Sequence, residues 1–329
     1  GINAEYGDMK LVITGGAGFI GSHCVEHFSE ICEEVLVIDN FSTGKNRFEL
    51  PNVRYVTADI TNPADLDAIS GQYDWMIHLA AAISVAESMT DPDKYYRTNV
   101  QGSENVYRLA ARLGVSKVVS ASSAAVYGDC GTRAISEDFK FNGISPYADS
   151  KFQMEQLSRK LPQQPQLLFA RFFNVYGPRQ DPKSPYTGVM SIFISRALAG
   201  QPMTVFGDGK QTRDFVFVRD VARALGVILA SSVKQTEFVF ESQSNQFSQE
   251  SNKSKTENVF NVGSETQTTI GDLAAEIAKS GGSVKFGEAR NGDIRFSLSC
   301  SQKMRDLGWK PETEIGEGIR ETVEWAKVV

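Results

Sequence analysis

Histidine and cysteine are scarce in this sequence, and long apolar or basic runs are missing from it. Its 329 residues include three histidines and four cysteines. The histidines are scattered and the cysteines form no C-x-x-C pair, so we expect no metal site and no disulfide framework. Unpaired thiols of this kind are typical of a reducing cytoplasm, which is where we expect the protein to work.

The missing runs narrow the class of partner. No apolar stretch approaches the ~20 residues that a membrane-spanning helix needs, and no signal-peptide pattern precedes the first predicted strand. The formal net charge is −6 and there is no cluster of Lys or Arg, so we expect neither nucleic acid nor a membrane as partner. Residues 1–8 are interpreted as a leader or cloning remnant, with Met9 as the natural start.

A glycine-rich turn follows the first predicted strand. The apolar residues 10–13 are typical of a buried parallel strand, and Thr14-Gly-Gly-Ala-Gly-Phe-Ile-Gly21 comes directly after them. Glycines at this spacing allow a tight turn, a close approach to pyrophosphate and close packing of helix on strand. The next helix presents free N–H groups and the positive end of its dipole to the phosphates. The cofactor contacts predicted here are Gly15, Gly18, Phe19, Ile20 and Gly21.

An acidic residue ends the second predicted strand. Asp39 follows the apolar residues 35–38. A carboxylate at this position accepts hydrogen bonds from the ribose hydroxyls and repels a 2′-phosphate, so it favours NAD over NADP as the cofactor. The order strand, turn, helix, strand, acid predicts an α/β fold with a Rossmann-type doubly wound parallel sheet.

Two later strands lead toward the same dinucleotide. Val53–Thr57 precedes Asp59, which could meet the adenine amino group. Trp75–His78 precedes the small residues 79–82, which leave room for a dinucleotide against the strand ends. His78 itself is interpreted as a packed strand-end histidine rather than a catalyst.

A tyrosine and a lysine one helical turn apart predict the chemistry. Tyr147 and Lys151 follow Pro146, and their spacing places both side chains on one helix face. We expect the cation to lower the pKa of Tyr147 from about 10 toward neutrality, so that the phenol can take a proton from an alcohol while a nicotinamide takes the hydride. Ser122 and Ser123, at the end of a predicted strand, could hydrogen-bond to that alcohol.

With these segments in place, the chain resembles the extended short-chain dehydrogenase/reductase family, and within it the nucleotide-sugar 4-epimerases of the UDP-galactose 4-epimerase type. The resemblance covers nearly everything from Met9 to Trp325. It rests on TGGAGFIG at 14–21, DNFSTG at 39–44, ADI at 58–60, HLAA at 78–81, SSAAVYG at 122–128, SPYADSK at 145–151, RFFNVYGPRQ at 171–180, GDGKQTRDFVFV at 207–218 and RNGDIR at 290–295. It implies Ser123, Tyr147 and Lys151 as the catalytic triad. It also implies further cofactor contacts at Asn40, Ser42, Thr43, Gly44, Ile60, Leu79, Ala80, Ala81 and Asn99.

The same resemblance implies a UDP-sugar site in the second half of the chain. Arg213 and Arg290 are the local cations that an acidic protein needs to hold two phosphates, since guanidinium groups form bidentate bonds to phosphate oxygens. Asp293 resembles a residue that accepts from a nucleotide ribose hydroxyl, and Asn174 one that contacts the diphosphate. The other implied substrate contacts are Ser84, Ser122, Ser123, Val205 beside the uracil ring, and Ser297.

Two positions bear on the reaction and the sugar. The related 4,6-dehydratases place an Asp-Glu pair where this chain has Ala124 and Ala125, so elimination of water is not expected. Ser297 falls where the resembling epimerases place a residue that limits the room beside the sugar ring. A small residue there admits a 2-N-acetyl group, so we expect UDP-N-acetylhexosamines among the substrates.

The chain divides into two predicted parts. Residues 9–175 form the NAD-binding domain, and residues 176–329 form a smaller, mainly substrate-binding α/β domain with returns to the first. Residues 233–257 are interpreted as a polar loop insertion with a short hairpin around residues 238–240. The apolar faces of helices over residues 95–112 and 147–161 favour a homodimer, with burial inside one chain as the alternative.

Three functions stay open from the sequence. A UDP-hexose 4-epimerase fits best. A UDP-glucuronate decarboxylase, or another nucleotide-sugar oxidoreductase, would share the first half of the reaction. A non-catalytic NAD-binding scaffold or sensor would not need the intact Ser123, Tyr147 and Lys151, which argues against it.

Overall fold

A seven-stranded sheet forms the centre of the molecule in the computed structural model, which describes residues 6–184, 188–233 and 256–329. In chain order the strands are β1 (Lys10–Thr14), β2 (Glu34–Asp39), β3 (Val53–Thr57), β4 (Trp75–His78), β5 (Lys117–Ser123), β6 (Gln166–Phe172), β7 (Asn174–Tyr176), β8 (Pro202–Phe206), β9 (Thr212–Arg213), β10 (Phe215–Phe217), β11 (Val259–Val262), β12 (Thr268–Thr269) and β13 (Ser283–Gly287). The large sheet has the order β3-β2-β1-β4-β5-β6-β11, and every neighbouring pair in it is parallel. The predicted doubly wound parallel sheet is therefore confirmed.

Helices cover both faces of this sheet. In chain order the α-helices of the described residues, including those of the second half, are α1 (Phe19–Ser29), α2 (Pro63–Asp67), α3 (Val85–Thr90), α4 (Pro92–Tyr95), α5 (Gly102–Arg112), α6 (Pro146–Gln156), α7 (Val189–Leu198), α8 (Val218–Ala230), α9 (Ile270–Ala278), α10 (Gln302–Asp306) and α11 (Ile315–Lys327). A π-helix at Tyr96–Gln101 joins α4 to α5, and a 3₁₀ turn at Ala124–Tyr127 follows β5. In the part of the chain that the structure describes, no helix is both long and apolar enough to cross a membrane.

Alternation along the strands builds a core on each face. Ile13 points to the face covered by α1 and α8, where it joins Phe28 in one buried cluster. Its neighbour Val12 points to the opposite face and packs with Val106 of α5 and Met154 of α6. Because both faces are covered, β1 and β2 are apolar almost throughout, as buried parallel strands are.

The second half of the chain forms a smaller layered unit and also adds to the first. Its core contains Phe193 of α7, Val205 of β8, Leu273 of α9 and Ile319 of α11. The pairs β8–β13 and β7–β10 are parallel and β9–β12 is antiparallel. Two elements of the second half belong to the first unit instead: β11 pairs with β6 at the edge of the large sheet, and α8 packs on α1.

The structure bears on two further expectations. Tyr6, expected in a leader or cloning remnant, is 5% exposed and packs edge-on against Phe28 and Trp75, so it belongs to the core. The apolar residues of the two helices expected to pair between subunits, such as Tyr107 and Met154, are buried inside the chain, so they do not indicate a dimer. The proposed insertion and its hairpin lie outside the described residues except at positions 233, 256 and 257.

Candidate active site

The parallel strands bring the predicted site residues to one edge of the sheet. Thr14 pairs with His78 across β1 and β4, and His78 pairs with Ser120 of β5. Asp39 ends β2 on the other side of β1. Ligands bind at the carboxyl ends of such strands where the strand order reverses, which here is the gap between β1 and β4.

The glycine turn leaves a backbone cradle in front of α1. Gly15 has a φ of +72°, and a Cβ there would lie 2.7 Å from the Ala80 nitrogen. A Cβ on Gly18 would meet only the Gly15 carbonyl oxygen among the described residues, at 3.3 Å, so it would fill the open space before the helix. Because Gly18 has no side chain to cap α1, the first N–H groups of that helix face this space, an arrangement that suits a phosphate.

Asp39 holds the glycine turn and the loop after β2 together. It is 8% exposed; its Oδ2 accepts from the Ala17 N–H at 3.0 Å and its Oδ1 from the Phe41 N–H at 2.8 Å. A Cβ on Gly44 would lie 2.5 Å from the Gly18 nitrogen, so this loop lies directly against the turn. The Asn40 side chain closes the loop by accepting from both Ser42 N–H and Ser42 Oγ, and Thr43 stands exposed beside them. These residues fit an adenosine ribose and a diphosphate.

Asp59 lies after β3, and its carboxylate is engaged locally. Its Oδ1 accepts from the Thr61 N–H at 2.8 Å and from Thr61 Oγ1 at 2.7 Å. The neighbouring Ile60 is buried, and its carbonyl oxygen accepts from Asn105. The arrangement fixes the turn after β3 next to the expected adenine position.

A short chain of side chains fixes the loop after β4. Thr14 Oγ1 accepts from the N–H groups of Leu79 and Ala80, so its own proton must go to His78 Nδ1, which lies 2.6 Å away. His78 is then neutral and donates from Nε2 to Ser103 Oγ at 2.8 Å. Burial lowers the pKa of His78 to about 3, which agrees with a packed, neutral strand-end histidine.

The Asn99 side chain holds the next part of that loop in place. It is 1% exposed; its Oδ1 accepts from the Ala82 N–H, and its Nδ2 donates to the Ala82 oxygen and to Ser150 Oγ. Ala81 precedes this clamp. The side chain therefore holds residue 82 against α6, and the cofactor contact expected at Asn99 stays a prediction.

The predicted acid/base residues lie on β5 and α6. Ser123 ends β5, and its Oγ accepts from the Ala125 N–H at 3.1 Å. Tyr147 stands in the first turn of α6, which Ser145 caps by accepting from the Ala148 N–H. Lys151, 3% exposed, donates from Nζ to the Ala121 oxygen of β5 at 2.9 Å.

The pKa values of this pair differ from the expected pattern. Burial raises the pKa of Tyr147 above its ordinary value, and a hydrogen bond with Ser123 works against that rise. Burial also lowers the pKa of Lys151 to about 8. The expected depression by Lys151 is absent because the ammonium is directed at the strand backbone, and desolvation of the phenol dominates.

Three predicted substrate contacts have other partners. Ser122 is 3% exposed and donates to Glu155 inside the protein, because successive strand residues face opposite ways. The Val205 side chain is fully buried in the core of the second half, so it cannot touch a uracil ring. Ser84 caps α3 by accepting from the Glu87 N–H, although it lies beside the loop that follows β4.

The remaining predicted contacts gather around β9 and residues 290–297. Arg213 donates to Asp293 Oδ1 at 2.9 Å and to the Ile294 oxygen. Arg290 lies over the Phe206 ring, 4.1 Å from its centroid. Ser297 is half-buried, with its N–H 3.4 Å from Thr212 Oγ1. Asn174 is exposed at the start of β7, and its N–H donates to the Asp214 oxygen.

Sequence reasoning missed two groups that support the site. Tyr95 is 1% exposed and packs edge-on against Tyr147 while its hydroxyl accepts from the Ser84 N–H. Asp214 is fully buried and accepts from Ser264, Glu265 and Ser299, next to Arg213. No spacing in the sequence points to either. The burial of an isolated Tyr or Asp becomes visible only in the fold.

Comparisons with known proteins agree with this geometry. The profile of the NAD dependent epimerase/dehydratase family matches residues 11–240. A putative UDP-glucose 4-epimerase of Methanocaldococcus jannaschii is 35% identical over 326 residues, covering 96% of this chain and 98% of that protein. A UDP-N-acetylglucosamine 4-epimerase from Methanobrevibacter ruminantium M1, solved with UDP-N-acetylmuramic acid, superposes with a TM-score of 0.85 and 32% identity over 98% of this chain and 99% of that one. The Thermus thermophilus UDP-glucose 4-epimerase, solved with NAD, gives 0.81 and 31%, over 98% and 100%. The glycine cradle and Asp39 suit NAD, as expected for an enzyme of this kind. These matches show that the chain belongs to the NAD dependent epimerase/dehydratase family.

Proposed function

We propose that the protein is a UDP-hexose 4-epimerase that also accepts UDP-N-acetylhexosamines. One observation carries the reaction type. Ser123 and Tyr147 supply hydroxyls at the strand edge, while Ala124 and Ala125 occupy the turn that follows Ser123. Oxidation and re-reduction of an alcohol need the hydroxyl pair, whereas elimination of water needs a further acid and base that two methyl groups do not supply.

The roles of the chain's own residues follow from their positions. Tyr147, as the phenolate that the Lys151 ammonium and the positive charge of bound NAD⁺ would favour against the effect of burial, takes the proton of the sugar 4-hydroxyl, and Ser123 hydrogen-bonds to the same oxygen. NAD, when bound, would supply a reversible hydride acceptor for C4. Lys151 stays a cation near neutral pH, since burial lowers its pKa only to about 8, and it binds the nicotinamide ribose. After the 4-keto sugar has rotated to present its other face, Tyr147 returns the proton to the 4-oxygen. The sugar is therefore isomerised without net oxidation.

The cofactor contacts that we propose are those of the cradle and its surroundings. The N–H groups at the start of α1 face the diphosphate, and Asp39 faces the adenosine ribose, where its charge opposes a 2′-phosphate. The fit rests on the open space at Gly18 and on the loop held against it by Gly44. Asn99 contributes by holding residue 82 beside the cofactor site.

The nucleotide end of the substrate needs cations that the overall charge of −6 does not provide. We assign this part to Arg213 and Arg290, with Asn174, Asp293 and Ser297 beside the ribose, diphosphate and sugar. The Asp293 ion pair orients Arg213, and the Phe206 ring orients Arg290. Tight binding of the nucleotide together with loose contact to the sugar is what rotation of the 4-keto sugar requires.

Product analysis tests this proposal. The purified protein is incubated separately with UDP-glucose, UDP-N-acetylglucosamine and UDP-glucuronate, and the products are identified by NMR. We expect UDP-galactose and UDP-N-acetylgalactosamine, with neither carbon dioxide nor net NADH. Release of carbon dioxide and a UDP-pentose from UDP-glucuronate would identify a decarboxylase instead. Bound NAD without turnover of any of the three would favour a scaffold or sensor.

Two further properties stay predictions. One is the homodimer: Tyr107 and Met154 of the two helices that suggested it are buried in one chain, and light scattering of the purified protein measures the oligomeric state directly. The cytoplasmic location rests on four cysteines that are all unpaired, which cell fractionation tests.

A further inference from the structure

A buried ion pair lies directly behind the catalytic strand. Glu155 and Arg171 are each 4% exposed. Glu155 Oε2 accepts from Arg171 Nε at 2.9 Å, and Oε1 accepts from Nη2 at 2.6 Å, so the pair is bidentate. The same carboxylate accepts a third bond, from Ser122 Oγ at 2.5 Å. None of these groups has a part in the proposed chemistry.

The position of Glu155 relates it to all three proposed catalytic residues. It lies on α6 one helical turn beyond Lys151 and two beyond Tyr147, so the three share one helix face. Its partner Ser122 immediately precedes Ser123 on β5. Lys151 also reaches β5, where it donates to the Ala121 oxygen. One carboxylate therefore ties the catalytic helix to the catalytic strand at adjacent residues.

The rest of the network keeps Glu155 from moving. Arg171 Nη1 donates to Tyr127 Oη at 2.9 Å, and Tyr127 donates to Asn261 Oδ1 at 2.5 Å. The Asn261 N–H in turn donates to Glu137 Oε2. These contacts come from β6, the 3₁₀ turn after β5, β11 and the loop that contains Glu137, so elements on that side of the sheet fix the guanidinium that Glu155 faces.

We propose that Glu155 is a positioning residue for the catalytic pair, which holds Ser123 and Lys151 in register through Ser122 and supplies the buried negative charge that keeps Lys151 an ammonium. The proposal rests on the function proposed above for Tyr147 and Lys151. A structural ion pair alone would need neither the bond to Ser122 nor a place on the face of Lys151.

The electrostatics around Lys151 point the same way. Burial lowers the pKa of Lys151, and Glu155 opposes that shift. From β4, His78 faces Lys151 as a neutral ring, and from β6 the Arg171 cation stands behind Glu155. Tyr107 of α5 bonds to Ser120 and is uncharged, since burial raises its pKa further. Without Glu155, the buried Lys151 ammonium would lose its opposing carboxylate, while the Arg171 cation behind that carboxylate would stay, so Lys151 would lose its proton at lower pH.

The test measures the titration of Lys151 directly. The full-length protein is prepared with ¹³C-labelled lysine, the Lys151 signal is assigned with a Lys151→Met variant, and its midpoint is followed by NMR. Wild type should titrate near pH 8. We expect Glu155→Gln to lower the midpoint by at least about one pH unit. The fall of kcat on the alkaline side of its pH profile should shift to lower pH by the same amount. Ser122→Ala is the matched control, since it breaks the bond to β5 without removing charge; it should lower kcat and leave the midpoint in place.

The outcomes separate this inference from the proposed function. A folded Glu155→Gln with the wild-type midpoint overturns it, whatever the turnover. If Glu155→Gln does not fold, Glu155→Gln/Arg171→Met, which also removes the Arg171 cation left without its partner, carries the test: a lowered midpoint supports the inference and an unchanged one overturns it. Failure of wild type to epimerise any UDP-sugar would refute the proposed function, and the midpoint would still be measurable.

Discussion

The ring of Tyr95 meets the ring of Tyr147 edge-on, with centroids 6.3 Å apart and planes at 80°. The Tyr95 hydroxyl accepts from the Ser84 N–H at 2.8 Å and lies 3.2 Å from Glu87 Oε1. A buried ring thus stands beside the proposed base and is fixed by the segment that leads into α3. Tyr147 is supported from the side by a residue that has no part in proton transfer.

Removing the Tyr95 hydroxyl should therefore affect stability more than chemistry. In Tyr95→Phe the edge contact persists, but the buried Ser84 N–H loses its acceptor, which costs about 1–3 kcal/mol in the free energy of unfolding. We expect that loss in urea unfolding, with kcat close to wild type. Tyr95→Leu, which also removes the ring beside Tyr147, should lower kcat further. Equal kcat values in both variants would show that the edge contact does not orient Tyr147.

Cofactor choice should depend on the charge of Asp39. Asp39→Asn keeps the shape of the side chain and removes the charge that repels a 2′-phosphate. We expect wild type to prefer NAD and the variant to shift the NAD/NADP affinity ratio by at least about tenfold, as about 1.4 kcal/mol of repulsion would give. Calorimetric titration of both cofactors measures the ratio. Asp59→Asn, which removes a charge of the same sign after β3, should leave it unchanged. Equal affinities in wild type would place Asp39 away from the ribose.

Two buried histidines should make the protein sensitive to mild acid. Burial lowers the pKa of His78 to about 3 and that of His23 to about 4, whereas an unfolded histidine titrates near 6.5. Between pH 6.5 and 4 the unfolded chain therefore binds more protons, and the free energy of unfolding falls as the pH falls, by about 1.4 kcal/mol per pH unit for each histidine.

Urea unfolding at several pH values measures that slope. His23 donates from Nε2 to the Pro178 oxygen, a bond that a glutamine amide can keep. His23→Gln should therefore reduce the slope by about 1.4 kcal/mol per pH unit, the contribution of one histidine. A slope identical to that of wild type would mean that His23 does not titrate differently in the two states.

The residue at position 297 should decide which sugars are accepted. A tyrosine in place of the half-buried Ser297 would crowd a 2-N-acetyl group, and overpacking of a close-fitting wall costs about 1–3 kcal/mol. We expect Ser297→Tyr to lower kcat/KM for UDP-N-acetylglucosamine at least about tenfold more than for UDP-glucose. Ser297→Ala, which stays small, should keep both substrates. A wild type that turns over only UDP-glucose and UDP-galactose would show that Ser297 does not border the sugar.

The sequence predicted the parallel sheet well because its signals are local. The apolar run at residues 10–13, the glycines that follow it and Asp39 after the second run each have a fixed meaning in a βαβ unit, and β1, β2 and the turn form accordingly. The spacing of Tyr147 and Lys151 likewise needed only the helix period.

What the sequence could not supply depends on distant partners. Ser122 and Ser123 face opposite sides of β5, and only the presence of Glu155 behind the strand decides which one is internal. Val205 is buried because the helices of the second half close over β8. The pKa of Tyr147 follows from burial by the whole fold, which outweighs the local pairing with Lys151.

The most direct test of the proposed mechanism is the turnover of Tyr147→Phe on UDP-glucose, measured with NAD content and Tm in the same preparation. Removal of the phenolic oxygen deletes the proton acceptor and almost no volume. We predict unchanged NAD content and Tm, with kcat at least about a hundredfold below wild type, as loss of a general base gives. Near-normal interconversion of UDP-glucose and UDP-galactose by this variant would contradict the mechanism.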